Sequence, residues 1–286
     1  MLKFNNIVVK YDGKWLKCLP PNTLRLRYKD GVTPTFTKGT AVHISTSPNI
    51  WELTSIDWYD AFQGHTDLLE VVDSGDMSSV TDMCRTFKDC SSLISVCPMN
   101  VRLNKLSRMF QNCSSLVSAP FITITPMDGY CDYIFDGCTS LTSVPLLDTS
   151  SFTTANFMFR NCSSLTTVPA FNLRRASSTA SMFEGCTSLT TVPTFTLPYT
   201  NQLNSMFKGC TSLTTMPSIT LSRDLSRCIS VFEDCINIES GILNMYNNLS
   251  SKTVIYYTIY SSCFKNCGIN TTTGAAELAQ IPSDWK

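Results

Sequence analysis

The stretch Met158–Pro169, MFRNCSSLTTVP, returns as MFEGCTSLTTVP at Met182–Pro193 and as MFKGCTSLTTMP at Met206–Pro217. Self-similarity at a fixed period decides an architecture before local propensity does. Looser copies precede these three: TFKDCSSLISVCP, MFQNCSSLVSAP and IFDGCTSLTSVP. The anchoring residues are Phe87, Phe110, Phe135, Phe159, Phe183 and Phe207, then Phe232 and Phe264, at intervals of 23, 25, 24, 24, 24, 25 and 32 residues. A degenerate first copy, AFQGHTDLLEVV, places Phe62, His65, Leu68 and Val71 in the same frame, 25 residues before Phe87.

A unit this short cannot bury its own apolar side, so it must stack on copies of itself. Apolar residues at offsets −4, 0 and +3 from the Phe, as in Leu203, Phe207 and Cys210, predict a helix of about two turns. Gly185 or Asn161, just before the Cys, fits the end of that helix. Leu-Thr-Thr-Val-Pro then predicts a short strand that its Pro terminates. The expected fold is an α/β leucine-rich-repeat solenoid, a short helix plus a short parallel strand per unit, with strands about 4.8 Å apart. The expected organisation is an N-terminal all-β module over 1–60, the solenoid over 61–240, and a degenerate capping repeat and tail over 241–286.

The Phe column, with Leu93, Leu116, Leu141, Leu165, Leu189 and Leu213, is read as the spine of one core. Of 14 cysteines, eight occupy the slot three residues after the Phe: Cys90, Cys113, Cys138, Cys162, Cys186, Cys210, Cys235 and Cys267. A buried column of small apolar side chains is the preferred reading. A disulfide ladder is geometrically conceivable, but His65 stands in the same slot. None of the spacings forms the paired knuckles of a structural zinc site, so neither metal nor cofactor is expected.

Lys plus Arg and Asp plus Glu balance at 22 each, which leaves no overall field to draw nucleic acid. Charged residues make up 15% of the chain while Ser plus Thr number 70, a polar but uncharged surface. No run approaches the roughly 18 to 20 apolar residues of a membrane span, and the opening MLKFNNIVVKYDGKW reads without a secretory signal. Two His residues thin the supply of general bases. Asp132 and Asp136 are four apart but lack the matched partner that paired-carboxylate chemistry needs, so no enzyme is expected.

Function must therefore sit on outward positions. Thr142 and Ser143, Thr166 and Thr167, Thr190 and Thr191, and Thr214 and Thr215 lie between Leu and Val of successive units and form two hydroxyl ladders. They suit an exposed β position in any case, and they also offer a face for a glycan, a partner protein or ice. The first 60 residues read as hairpins around Asp-Gly turns. Trp15, Trp51, Trp58, Arg25 and Arg27 give this module an individual surface, suited to docking on a neighbouring protein. Capping the end repeat is the other reading, and one module can do both. After Leu221 the Val-Pro ending is lost and Tyr246, Tyr256, Tyr257 and Tyr260 appear, as in a capping repeat. A short helix from Ala275 to Gln280 is expected, with Trp285 against the end of the stack or another subunit.

The Phe-x-x-Cys-x-x-Leu-x-x-Val-Pro wording, six copies of it close, resembles the BspA-like leucine-rich repeat and its relatives in mycoplasma and lactobacillus surface proteins. The resemblance covers about residues 62 to 270 and implies adhesion and recognition at surfaces. Similar repeats in proteins of phages of gut bacteria follow an N-terminal β module resembling LKFNNIVVK and KDGVTPTFTKGTAV. Together these imply a non-enzymatic virion fibre, decoration or receptor-binding protein, with other virion proteins and a bacterial surface glycan or protein as partners. A homo-oligomer, a trimer first, is expected. The alternative is a bacterial cell-surface adhesin binding host protein or glycan.

Overall fold

Two residues in every repeat, two before and two after the anchoring Phe, have left-handed backbone angles, and this decides what the repeat becomes. Around Phe183 they are Ser181 at φ 53° and Gly185 at φ 74°; around Phe159 they are Phe157 at 58° and Asn161 at 60°. The same two positions are left-handed in all nine copies from Phe62 to Phe264. A right-handed helix has no room for L-residues at positive φ four positions apart. The computed structural model, which describes residues 8–11, 14–17, 19–124, 129–222, 224–252 and 260–286, accordingly shows a chain of turns where a helix was expected.

Within a turn segment, the Cys186 amide donates to the Phe183 carbonyl and the Leu189 amide to the Cys186 carbonyl, both at 3.1 Å. Alternate amides cross to the next copy instead: Ser181 to Asn204 O at 2.8 Å, Phe183 to Met206 O at 2.9 Å and Gly185 to Lys208 O at 2.8 Å. The expected α/β solenoid is therefore corrected. Among the described residues α-helix is confined to α1 (Ile242–Ser250) and α2 (Thr272–Ala279), both near the C-terminus. Among the described residues the strands form five small sheets rather than one continuous parallel sheet.

Three of the two-stranded sheets are parallel: β8 (Met99–Leu103) with β9 (Ile122–Ile124), β10 (Gly129–Tyr130) with β11 (Phe152–Thr154), and β12 (Phe195–Leu197) with β13 (Ile219–Leu221). In the closest copies these strands follow the Pro; Leu-Thr-Thr-Val-Pro itself forms single bridges such as Thr167 with Thr191. Pro has no amide to continue a ladder, so pairing resumes only beyond it.

At the N-terminal end β1 (Val8–Tyr11) and β2 (Lys14–Lys17) form an antiparallel hairpin. A five-stranded sheet follows in the order β4 (Thr40–Thr46), β5 (Asn49–Thr54), β3 (Thr23–Tyr28), β6 (Leu68–Ser74), β7 (Ser95–Val96). Its β6 belongs to the first repeat, pairs antiparallel with β3 and parallel with β7, and so joins the N-terminal sheet to the stack.

One aromatic column runs through the interior. Phe62, Phe87, Phe110, Phe135, Phe159, Phe183, Phe207, Phe232 and Phe264 are all fully buried. Neighbouring rings are near parallel with centroids 5.3 to 5.7 Å apart, an offset stack. Trp58 and Phe36 close the column against Phe62. At the other end Trp285 closes it, 6.2 Å from Phe264 and stacked on Tyr260 at 3.8 Å. The helix before it, α2, is capped by the Thr271 hydroxyl, which accepts from the Gly274 amide.

Candidate functional site

The inward columns are fully occupied by folding. Cys113, Cys138, Cys162, Cys186 and Cys210 are buried and unpaired with one another. Each thiol donates to the carbonyl of the anchoring Phe in the preceding copy: Cys162 to Phe135 O and Cys186 to Phe159 O at 3.1 Å, Cys210 to Phe183 O at 3.2 Å. That carbonyl already accepts the amide of its own copy's Cys. A Cys therefore fills a small apolar space and satisfies the second lone pair of the carbonyl, which Ala or Val could not do. Burial pushes Cys186 and Cys235 up to about 12, and Cys113, Cys162 and Cys210 well above the ordinary thiol range. A neutral thiol is neither nucleophile nor metal ligand.

Outside this interior, Thr142, Ser143, Thr166, Thr167, Thr190, Thr191, Thr214 and Thr215 are all exposed. Part of their hydrogen-bonding capacity is spent within the stack: the Thr142 hydroxyl donates to Val117 O at 3.1 Å and that of Thr190 to Thr166 O at 3.2 Å. A third ladder, which the sequence reading overlooked, runs one residue after the Cys. There Ser163 donates to Thr139 O, Thr187 to Ser163 O and Thr211 to Thr187 O, each at 3.3 Å.

The docking candidates of the N-terminal module are dispersed. Arg25 pairs with Glu52 at 2.6 Å and with Asp73 at 3.6 Å, and Arg27 with Glu70 at 2.9 Å, so these guanidiniums are committed across the sheet. Trp51 is half-buried, stacks on His43 at 4.4 Å and donates to Asn49 Oδ1. Trp58 is 1% exposed and belongs to the cap of the Phe column. The side chain of Trp15 lies outside the described residues, as do Tyr256 and Tyr257. Tyr246 and Tyr260 both pack on Trp285.

At the junction, His65 fills the Cys slot and its Nδ1 meets the Tyr28 hydroxyl at 2.7 Å. Burial lowers the His65 pKa and raises that of Tyr28. A cavity of about 270 Å³ opens beside this pair, lined also by Thr33, Pro34 and Asp67.

Asp132 and Asp136 are both engaged. Asp132 Oδ1 accepts the Asn156 amide, and Asp136 binds Arg160 through two bonds at 2.8 and 2.9 Å and accepts from Gln111. Among the described residues no cluster of His, Cys, Asp or Glu is arranged to hold a metal, and no helix is long and apolar enough to cross a membrane.

Two further columns flank the Phe, half-buried for the most part, and carry side chains that differ from copy to copy. The residue after the Phe alternates in charge, Asp136, Arg160, Glu184, Lys208, Glu233, Lys265. Glu233 bridges Lys208 at 2.8 Å and Lys265 at 2.9 Å; against the cost of its burial, the two ammonium groups hold it down to about 2. Two residues before the Phe stand Arg85, Arg108, Tyr133 and Phe157, followed by serines. Tyr133 and Phe157 stack at 4.4 Å, with Arg108 4.7 Å from the Tyr133 centroid and Arg160 4.8 Å from that of Phe157. The signal was present in the sequence as variety at a fixed offset from an invariant Phe.

The BspA type leucine rich repeat region, six copies long, matches residues 127–239 and 179–285. A family of mycoplasma proteins of unknown function, DUF285, matches residues 35–121. No curated protein and no solved structure is similar enough to match. With more than half of its length covered by that repeat, the chain belongs to the BspA-type leucine-rich-repeat family.

Proposed function

We propose that the chain is a non-enzymatic recognition protein displayed on a surface, with the repeat stack as scaffold and its outward columns as the contact face. The observation that carries this reading is the contrast between an interior of repeated Phe and Cys and an outer column that changes from Arg85 and Arg108 to Tyr133 and Phe157. Aromatic and Arg side chains in such variety are what binding surfaces are enriched in. Membership of the BspA-type family supports surface display, and the structural engagement of Asp132 and Asp136 agrees with a role without catalysis.

The platform we favour is a bacteriophage particle, on the resemblance of the N-terminal module to those of phage proteins with similar repeats. The bacterial cell surface is the second reading, favoured by the family matches. Labelled full-length chain is expected to bind intact bacteria saturably, and non-saturable adsorption alone would refute recognition. Antibody against the chain distinguishes the platforms: labelling of purified phage particles supports the first, labelling of phage-free cells the second.

A further inference from the structure

The last step of the stack differs from the others at one inward contact. The residue four before an anchoring Phe meets the residue one before the next anchoring Phe: the Thr179 hydroxyl donates to the Met206 sulfur at 3.5 Å. By the same offsets the second position holds Ile134, Met158, Met182 and Val231 in other steps, each bulkier than Cys. The last step opposes Cys228 to Cys263, and their Sγ atoms are 3.7 Å apart. Both residues are fully buried.

These two thiols are engaged differently from those of the Cys column. From Cys90 to Cys235 the column thiols donate to the carbonyl of the preceding Phe, whereas Cys228 and Cys263 meet each other. The copies that carry them are already bonded side by side, Ser230 N to Ser261 O at 3.1 Å and Phe232 N to Cys263 O at 2.8 Å. A disulfide bond is about 2.0 Å long, so roughly 1.7 Å separates this contact from a bond. The chain between the two Cys carries α1 and belongs to the 32-residue interval from Phe232 to Phe264, the longest in the stack. Phe264 follows Cys263 directly and is covered by Trp285, which closes the stack. An end copy has a neighbour on one side only and opens before the middle does, so a crosslink here acts where opening is easiest.

We propose that Cys228 and Cys263 form an oxidation site whose product is one intramolecular disulfide that fastens the C-terminal cap to the repeat stack. The oxidant is a low-molecular-weight disulfide such as glutathione disulfide. When the terminal copy opens, one Cys loses its proton to solvent and its thiolate attacks the oxidant, displacing one glutathione thiolate. The second Cys, deprotonated in turn, displaces the other glutathione thiolate from the mixed disulfide. The two thiols give up two electrons and two protons, and glutathione disulfide is reduced to two glutathione thiols. The bond does not depend on the recognition reading; its use does, because a protein displayed on a surface meets an oxidising medium.

The test incubates the folded full chain in a glutathione buffer rich in the disulfide, quenches with acid, alkylates in denaturant and maps the tryptic peptides by mass. The peptide 253–265 holds Cys263 alone, and the peptide 228–252 holds Cys228 with Cys235, so fragmentation of the linked pair identifies the partner. A Cys228 to Cys263 link is expected as the intramolecular product. It should raise the melting temperature by about 5 °C, the shift expected for closing a loop of this length in a chain of this size, and dithiothreitol should reverse it. Cys228→Ala and Cys263→Ala should each melt at the same temperature in oxidised and reduced buffer, a comparison that holds even if the substitution itself destabilises. Full alkylation of Cys263, its linkage to Cys235 or Cys267 instead, a lasting mixed disulfide with glutathione, or a linked chain that melts no higher than the reduced one would overturn the proposal. Whole-cell binding by the reduced chain is measured separately, so the recognition reading stands or falls on its own result.

Discussion

Replacing Gly209 by Ala separates the observed turn from a helix by the sign of one stability change. Gly209 has φ +72°, and a Cβ built there meets nothing nearer than Gly185 at 3.8 Å, so the substitution introduces no clash. Its amide bond to Glu233 O at 2.8 Å is untouched. What remains is the left-handed conformation of a residue with a Cβ, about 1–2 kcal/mol, offset by about 0.4–1 kcal/mol of entropy removed from the unfolded chain. The net expectation is a loss of about 1 kcal/mol. Inside a helix the same change would stabilise by about 0.5–1 kcal/mol. Gly209→Asn should cost less, because Asn112, Asn161 and Asn266 occupy the equivalent position at φ 56° to 61°. Gly185→Ala should cost more, since its Cβ would lie 2.5 Å from Asn161 Oδ1. Equilibrium urea unfolding at unchanged m measures all three. Stabilisation by Gly209→Ala would refute the reasoning.

Phe159→Ala removes a ring stacked on Phe135, Phe171 and Phe183 at 5.6 to 5.7 Å and should cost about 3–5 kcal/mol in the same assay. Cys162→Ala loses a buried sulfur and the thiol bond to Phe135 O, about 1.5–2.5 kcal/mol together, whereas a disulfide ladder would show its effect only under oxidising conditions. A thiol reagent should label half-buried Cys84 and Cys97, pushed up to about 11 by burial, before Cys162 or Cys210, which should react only as the chain unfolds; early labelling of the column contradicts its packing. Glu233 lies at about 2 folded against 4.5 ordinarily, so its contribution is complete above pH 4.5 and fades as the pH falls toward 2. Glu233→Gln should flatten the stability profile in that window, and an unchanged profile would mean that the Lys208 and Lys265 pairs are screened out.

The stacking was legible because Phe, Cys and Leu recur at an unbroken offset, a pattern only a shared interior explains. The helix was misread because offsets of −4, 0 and +3 from Phe207 mark one face of a helix and equally the inward corners of a run of turns. Gly185, Gly209 and Asn161 announced one left-handed residue per copy, which a helix end explains as well. The second is carried by Ser181, Ser205, Tyr133 or Phe157, residue types that give no warning of positive φ. The Thr pairs drew attention by their uniformity, while the column two residues before the Phe was passed over because it does not repeat. Trp58 shows the same limit: a Trp in an acidic, turn-rich segment is indistinguishable by sequence from a surface residue until its contact with Phe62 is seen.

The most direct test of the account compares melting and whole-cell binding for the wild-type chain and the Tyr133→Ser/Phe157→Ser double variant. If folding resides in the Phe and Cys columns and recognition in the outward one, the melting temperature stays within a few degrees, a change of about 1 kcal/mol for a chain of this size, while binding falls about tenfold or more. Loss of the fold, or binding undiminished in a fully folded variant, would contradict it.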